Sequence, residues 1–444
     1  MRNVMQEQDV TDWKERLAAY TPETEQERRD RNEILLAAEQ YGTQLLYRSH
    51  AESHFTCSGF VMNPAMDQVL MVYHRIYDSF AWTGGHADGS SDFLWTAVRE
   101  AKEETGIQKP YPLTGAILSL DILPVKAHQK KGVPVPAHQH YNVTYGIIAD
   151  QKETLRIQPD ENTAVQWIPV EQLPEICKEP HMLPVYEKVI HRMRCWKAMQ
   201  EQALLQTAQP LLAWYPLHAR DLPWRHTQEP YRIWLSEIML QQTRVEAVKN
   251  YYARFLETFP DIAALAAAEQ DQVNKCWEGL GYYSRAANLR KAAQTIQEQY
   301  GGVFPRTWEE VRGLAGVGDY TAGAVCSICY GLPTPAVDGN VLRVAARVMN
   351  HFCEIDRPEQ KAAVTALLRQ VYLDNPEHCG TLTQAFMEIG ATVCVPNGQP
   401  HCEACPLSEL CLGRQYCDAL RLPQRTAKKA RRQEPVSYTH LTLP

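Results

Sequence analysis

Residues 314–325 read LAGVGDYTAGAV, and residues 336–344 read AVDGNVLRV. Gly316 and Gly318 stand between two apolar stretches, a pattern that predicts a helical hairpin closed by a tight turn. Backbone N–H groups at such a turn can point at a phosphate, helped by the N-terminus of the following helix. A Gly-x-Gly turn by itself is ordinarily only a turn. The Asp319-Tyr320-Thr321-Ala322 run that follows makes the reading much more specific. The helical pattern continues on both sides: PYRIWLSEIMLQQTRVEAVKNYYARFLETF (230–259) and SRAANLRKAAQTIQEQY (284–300) carry apolar residues three and four apart. Pro and Gly punctuate these segments at FPDI, GLGYY, YGGVFP and YGLPTPAVDGN. Residues 207–420 are therefore expected to form an all-α domain.

Upstream the pattern changes. SGFVMN (58–63), QVLMVYH (68–74), GAILSLDIL (115–123) and HYNVTYGIIAD (140–150) read as strands, interrupted by one helical stretch, DFLWTAVREAKEETG (92–106). MLPVYEKVIHRMRCWKAMQEQALLQ (182–206) turns helical and is expected to close a first, α/β domain over residues 1–205. A chain of 444 residues has room for two or three domains. With 45% hydrophobic and 22% charged residues it has the composition of a globular protein, and no apolar run is long enough to cross a bilayer. The polar N-terminus lacks a signal-peptide segment, so a cytoplasmic, nucleoid-associated location is expected. A net charge of −7 excludes a protein coated in positive charge but not a local patch that engages DNA.

Most of the thirteen cysteines are scattered, which suits buried apolar residues. Cys394, Cys402, Cys405 and Cys411 are not: they form a Cys-x7-Cys-x2-Cys-x5-Cys array. Clustered thiolates also bind zinc, but zinc sites more often pair two Cys-x2-Cys knuckles. One short spacing flanked by two longer ones suits a 4Fe-4S cubane.

Taken in order, RDLPWR (220–225), WLSEIMLQQTRVE (234–246), the hairpin, AVDGNVLRV and the cysteine array resemble the MutY family of adenine DNA glycosylases, within the helix–hairpin–helix superfamily that includes endonuclease III. The resemblance implies catalytic roles for Glu237, Asp338, Tyr320 and Asn340. Glu237 would protonate the adenine ring, since a purine anion leaves poorly until N7 carries a proton. Asp338 would stabilise the oxocarbenium-like sugar left behind, with Asn340 orienting water or catalytic groups. Lyase relatives carry a Schiff-base Lys where Tyr320 stands, so the base should be cut and the backbone left. Gln241, Gln242, Thr243 and Leu280 match residues that wedge into the duplex around a flipped nucleotide. Gly316 and Gly318 would hold a phosphate. Arg220, Trp224 and Arg225, together with Gln384 and Glu388, match pocket, base-contacting and packing positions. The family commonly has six residues in the first cysteine gap and here there are seven, a difference that Asn397-Gly398 can absorb.

GGHADGSSDFLWTAVREAKEETGI (84–107) resembles the Nudix box, with Gly85, Arg99, Glu100, Glu103, Glu104 and Gly106 in register. Glu100, Glu103 and Glu104 fall on one helix face, where they would repel unless they share a hard cation such as Mg²⁺ or Mn²⁺. The first glutamate of the box is Ser91 here, with Asp92 beside it. A nucleoside diphosphate-type substrate follows from this resemblance. Double-stranded DNA with A:8-oxoguanine or A:G mispairs follows from the other. A pyrimidine-lesion glycosylase/lyase, a non-catalytic damage binder and a non-hydrolytic Nudix sensor are the competing readings, the first opposed by Tyr320 and Gln241-Gln242-Thr243.

Residues 421–444 begin as a basic linker, RLPQRTAKKARRQE, and end in PVSYTHLTLP, which resembles translated sequencing adapter. The natural chain is expected to continue past about Pro435. The family usually carries a C-terminal Nudix-like domain that reads the oxidised guanine.

Overall fold

The computed structural model describes residues 13–74, 78–130, 133–158 and 162–426; the sequence expectations for 427–444 lie outside them. The α/β region is built on a mixed sheet. Its central strand, Ser53–Met62, is buried throughout and pairs in parallel with His138–Ile148. Gln68–His74 and then Asn162–Pro169 extend the sheet on one side, and Tyr111–Pro112 lies beyond His138–Ile148 on the other. Three further strands pair off this path: Thr83–His86 on the central strand, Ser79–Ala81 on Gln68–His74, and Ser119–Val125 on His138–Ile148.

A central strand buried on both faces needs a layer on each. Alternation supplies it. Phe55 and Cys57 pack with Phe93, Leu94 and Ala97 of the helix Phe93–Thr105, while Phe60 and Met62 pack with Tyr186 and Met193 of the helix Leu183–Leu205. The first of these helices starts where the Asp92 carboxylate accepts the Trp95 N–H (3.2 Å). It ends at Gly106, whose φ of +78° turns its N–H back to Lys102 O (2.9 Å).

Two N-terminal helices that the sequence reading did not assign, Trp13–Ala19 and Glu25–Tyr41, cover this layer. Thr24 and Glu27 form a capping box, and Glu27 is also the buried anchor of the region. Arg192 grips both Glu27 oxygens (2.7 and 2.8 Å) and donates to Tyr20 and to Leu118 O, while Lys188 bridges Glu27 and Asp121. Burial opposes ionisation of Glu27, but the hydrogen bonds from Arg192, Tyr20 and the Glu23 amide outweigh it and hold the carboxyl far below its ordinary value.

Downstream, residues 207–426 contain only helices and loops among the described residues. The apolar periodicity of 230–259 conceals a break: helix Pro230–Leu240 stops, and helix Val245–Thr258 begins after a four-residue turn. One apolar core fills residues 222–336. A second does not respect the boundary expected near 206. Tyr186, Met193 and Leu204 share it with the sheet on one side and with Val348, Val371 and Phe386 on the other. Gln200 spans the same seam, donating to Leu113 O (2.9 Å) and Asn350 O (3.2 Å). The stretch expected to open a linker at 421 is still packed: Leu422 is buried and accepts from Arg347 Nε, and Thr426 binds Asp356. No helix among the described residues is long and apolar enough to cross a membrane.

Replacing Arg192 with Met strands the Glu27 carboxylate among buried atoms. The expected loss is about 3–5 kcal/mol in urea unfolding. The double variant with Glu27→Gln should recover a large part of it, because no charge is then left unpaired.

Candidate active site

Helix Pro230–Leu240 starts cleanly, with Pro at its first position and the Glu229 carboxylate accepting the N–H groups of Tyr231 and Arg232 (both 3.0 Å). This start sets the helix phase and turns Glu237 inward, leaving it 5% exposed. Tyr320 reaches it from the first turn of helix Asp319–Tyr330, and its hydroxyl hydrogen-bonds the Glu237 carboxyl. Asp338 caps helix Gly339–Val348. Its carboxylate accepts the N–H groups of Asn340 (2.9 Å) and Val341 (2.8 Å) and the Asn340 side-chain amide (2.8 Å).

The two carboxyl groups are thereby set apart chemically. Burial pushes Glu237 up to about 7, the Asp338 charge adds to the rise, and the Tyr320 hydrogen bond and Arg225 only partly offset it. Asp338, half-buried, accepts three hydrogen bonds. The Tyr320 phenol is driven well above its ordinary value by burial and by both carboxyls, so it stays a neutral hydroxyl. Glu237, Tyr320 and Asp338 are therefore near enough to act on one another electrostatically.

The helix break forms the next layer. Gln242 takes φ +57°, is exposed, and sits between the half-buried Gln241 and Thr243. Leu280 is buried, with its backbone on the neighbouring loop. Arg285 ties the two loops together. It donates to the carbonyls of Ile238, Met239 and Gln241 (2.6–3.1 Å), to Leu280 O and Gly281 O (3.0 and 3.2 Å), and to the Thr243 hydroxyl (3.3 Å). The sequence reading missed this residue. The available signal was its place four residues before Leu289, on the apolar stripe that continues through Ala292, Ala293 and Ile296. In the hairpin, Gly316 needs its φ of +76°, and a Cβ there would press on Asn288 at 2.7 Å. Gly318 opens helix Asp319–Tyr330 with free space where a side chain would stand.

Arg220 and Arg225 both bind Glu388, which is wholly buried; Arg220 Nε and Nη2 lie 2.8 and 3.0 Å from its oxygens. The two arginines hold the Glu388 carboxyl below its usual range despite burial. Trp224 is buried edge-on to Tyr252, so it serves as packing and not as an open pocket wall. Gln384 accepts from the Tyr215 hydroxyl (2.7 Å), which keeps its amide oxygen inside the fold.

Cys394, Cys402, Cys405 and Cys411 line one pocket against helix Gly339–Val348, together with Val344, Arg347 and Val348. Burial, reinforced by mutual charge, pushes the Cys405 thiol up to about 12 and Cys411 to about 11. Thiols raised in this way give up their protons on binding a cation that they share. Arg347 supplies one N–H to Cys394 Sγ (3.3 Å). The residues fit a thiolate-bound cluster.

In the α/β half, Glu100 is half-buried, Glu103 exposed and Glu104 buried, on one face of helix Phe93–Thr105. Gly85 lets its strand lie against the Glu100 carboxyl, where any Cβ would collide. Arg99 pairs with Glu100 (2.9 Å) and reaches Glu103 (4.0 Å). Ser91 is exposed, and Asp92 is taken up by the helix cap.

Glu237 gives the folded state a pH signature. Between pH 4.5 and about 7 the unfolded chain releases this proton while the folded protein retains it, so stability falls across that window and levels off above it. The loss is roughly 3 kcal/mol at 1.36 kcal/mol per pKa unit. Glu237→Gln is expected to remove this dependence, becoming more stable than the parent at pH 8 but not at pH 4.5 in denaturant titrations.

Comparison with known proteins agrees with this geometry. Residues 235–370 match the HhH-GPD superfamily base excision DNA repair protein family, and residues 53–191 match the NUDIX domain. The helical half is 44% identical over 214 residues to the adenine DNA glycosylase of Homo sapiens, covering 46% of this chain and 39% of that protein. It is 38% identical over 231 residues to that of Schizosaccharomyces pombe (48% and 50%), and 34% over 224 residues to that of Buchnera aphidicola subsp. Schizaphis graminum (50% and 63%). This chain thus spans only 39–63% of the length of these relatives. Among solved structures, a thermostable thymine-DNA glycosylase aligns at 26% identity over 50% of this chain and 99% of its own, with a TM-score of 0.44. The chain thus resembles adenine DNA glycosylases and the HhH-GPD superfamily in its helical half, with a stretch that matches the NUDIX domain in front of it.

Proposed function

We propose that the helical half is a monofunctional DNA glycosylase that excises adenine mispaired with 8-oxoguanine or guanine, and that the Nudix half hydrolyses a nucleoside diphosphate-type substrate with a divalent metal. One observation carries the first reading: a carboxyl pushed up to about 7 stands beside a fully hydrogen-bonded carboxylate. Glycosidic cleavage of a purine needs that pairing. Glu237 delivers its proton to the ring, the sugar–base bond breaks with its electrons leaving on the base, and Asp338 stabilises the cationic sugar until water adds. Asn340 holds Asp338 in place. Tyr320 offers no amine for a Schiff base, which supports excision without backbone cleavage.

A 4Fe-4S cluster held by Cys394, Cys402, Cys405 and Cys411 would tie residues 394–411 into one closed loop beside helix Gly339–Val348. Arg343 in that helix donates to Cys394 O (2.9 Å) and Gly390 O (2.7 Å), and also to Asn340 (3.0 Å). One buried side chain therefore joins the cysteine loop to the residue bracing Asp338.

In the Nudix half, Glu100, Glu103 and Glu104 are the groups that would hold Mg²⁺ or Mn²⁺, which would polarise a diphosphate. With Ser91 in the box, Arg99 rests on these same glutamates, so the metal must displace it from Glu100.

Single-turnover excision on an A:8-oxoguanine duplex is expected to hold its rate below pH 7 and to fall about tenfold per unit above it, as Glu237 loses its proton. Glu237→Gln should cost on the order of 10²–10⁴-fold. Asp338→Asn should bind the duplex yet leave no alkali-labile site. A pH-independent rate or efficient borohydride trapping on a pyrimidine lesion would overturn this reading, and A:G run in parallel measures discrimination. For the other half, phosphate release from a nucleoside diphosphate panel should require Mg²⁺ and vanish in Glu103→Gln.

A further inference from the structure

The Nudix half gathers a second set of metal-ligating side chains. His54 and His140 are directly paired across the parallel strands Ser53–Met62 and His138–Ile148, and His138 follows on the same face two residues away. Gly85 and Cys57 face Glu100, so the alternating positions His86, Thr56 and His54 look to the opposite side of the sheet. The histidines are therefore separate from the box glutamates.

One ring nitrogen from each of His54, His138 and His140 lies within 4.8 Å of the other two. His138 Nε2 and His140 Nε2 are 3.1 Å apart, close to the ~3.3 Å between neighbouring nitrogens on a tetrahedral zinc ion. The opposite ring atoms are already engaged: His138 Nδ1 meets Pro136 O at 2.9 Å, and His54 Nδ1 meets His50 O at 3.2 Å. A proton placed on each Nδ1 leaves Nε2 as a lone pair, the tautomer that outer-shell carbonyls fix in metal sites. His54 is 5% exposed, and its Nε2 is buried without any hydrogen-bond partner. A buried orphan nitrogen is costly unless something binds it. His138 and His140 are half-exposed, which gives a path from solvent, and the His86 ring lies 5.1 Å from those of both His54 and His140.

We propose that His54, His138 and His140 form a site for a divalent transition-metal ion of the zinc type, distinct from the Mg²⁺ carboxylates of the box. Three imidazoles form a borderline-soft donor set that suits Zn²⁺ and disfavours Mg²⁺, and they leave a fourth position open to water or a phosphate oxygen.

The test uses the full chain with its cysteine site already loaded, in excess Mg²⁺ to occupy the carboxylates. Zn²⁺ is titrated against a chromophoric chelator, and Co²⁺ is followed by its visible d–d bands. One tight equivalent is expected, without the thiolate charge-transfer absorption that a cysteine ligand would give. His54→Gln and the half-exposed His138→Gln should each weaken it about 100-fold or more, as loss of a ligand exceeds the 10–100-fold cost of losing an outer-shell partner. Circular dichroism and retained cluster absorbance verify folding of each variant. Glu103→Gln should keep the equivalent. No tight equivalent in the parent, unchanged affinity in both histidine variants, or loss in Glu103→Gln instead would each overturn the proposal.

Discussion

A carboxyl group holds its proton at neutral pH only where water is kept from it, and much of the helical half is arranged to meet that condition for Glu237. The acid sits on a helix whose neighbours Trp234, Leu235 and Ile238 are core residues, so its environment is dry on the protein side. The remaining wall comes from two helix starts, those carrying Tyr320 and Asp338. Helix starts suit this place because their unpaired N–H groups favour an anion. Asp338 uses two of them through one oxygen, and the Asn340 side chain takes the other. The different surroundings of the two carboxyl groups therefore follow from backbone geometry as much as from side-chain identity.

Buried arginines do the corresponding work at helix ends that point the other way. Pro230–Leu240 ends abruptly, leaving carbonyls without intrahelical partners. Arg285 collects three of them and brings its positive charge to the negative end of the helix. It can then also hold the loop at 280–281, because guanidinium carries five donors in a fixed fork. Arg343 and Arg347 repeat the device around Cys394, and Arg192 does so between the N-terminal helices and the sheet. In each case one planar cation organises irregular backbone that no regular ladder could satisfy.

The parts legible in the sequence are those where chemistry and spacing coincide. Glu237, Asp338, the cysteine array and the box glutamates stand in short motifs that can be read without the fold. The strand read at 68–74 coincides with a strand, and those read at 58–63 and 140–150 overlap the strands Ser53–Met62 and His138–Ile148, because β-branched, aromatic and other apolar residues are dense there. Less visible was the stop at Gln241, since Leu240 and Val245 stay close to the apolar phase and nothing but a positive φ at Gln242 marks the turn. The helices at 13–41 escaped because charged residues dominate them; their apolar anchors are few, Trp13, Leu17, Ile34 and Ala38 among them, and an ion network around Glu27 completes the attachment. Trp224, matched to a pocket position, and Gln384, matched to a base-contacting one, meet Tyr252 and Tyr215, contacts between distant segments that spacing does not encode. The histidine group is the extreme case: 84 residues separate His54 from His138, and only the parallel register unites them.

The helix Leu183–Leu205 has consequences for how the two halves can exist. Because Tyr186, Met193 and Leu204 share one core with both the sheet and the distal helices, neither half owns that helix. Cutting the chain at 206 would expose apolar surface on both fragments, so the pair should melt as one cooperative body and resist separation into independent enzymes. A gene split at that point would have to produce two proteins that rebind along the same greasy face, whereas the fused chain keeps the partners at a fixed orientation and an equal number.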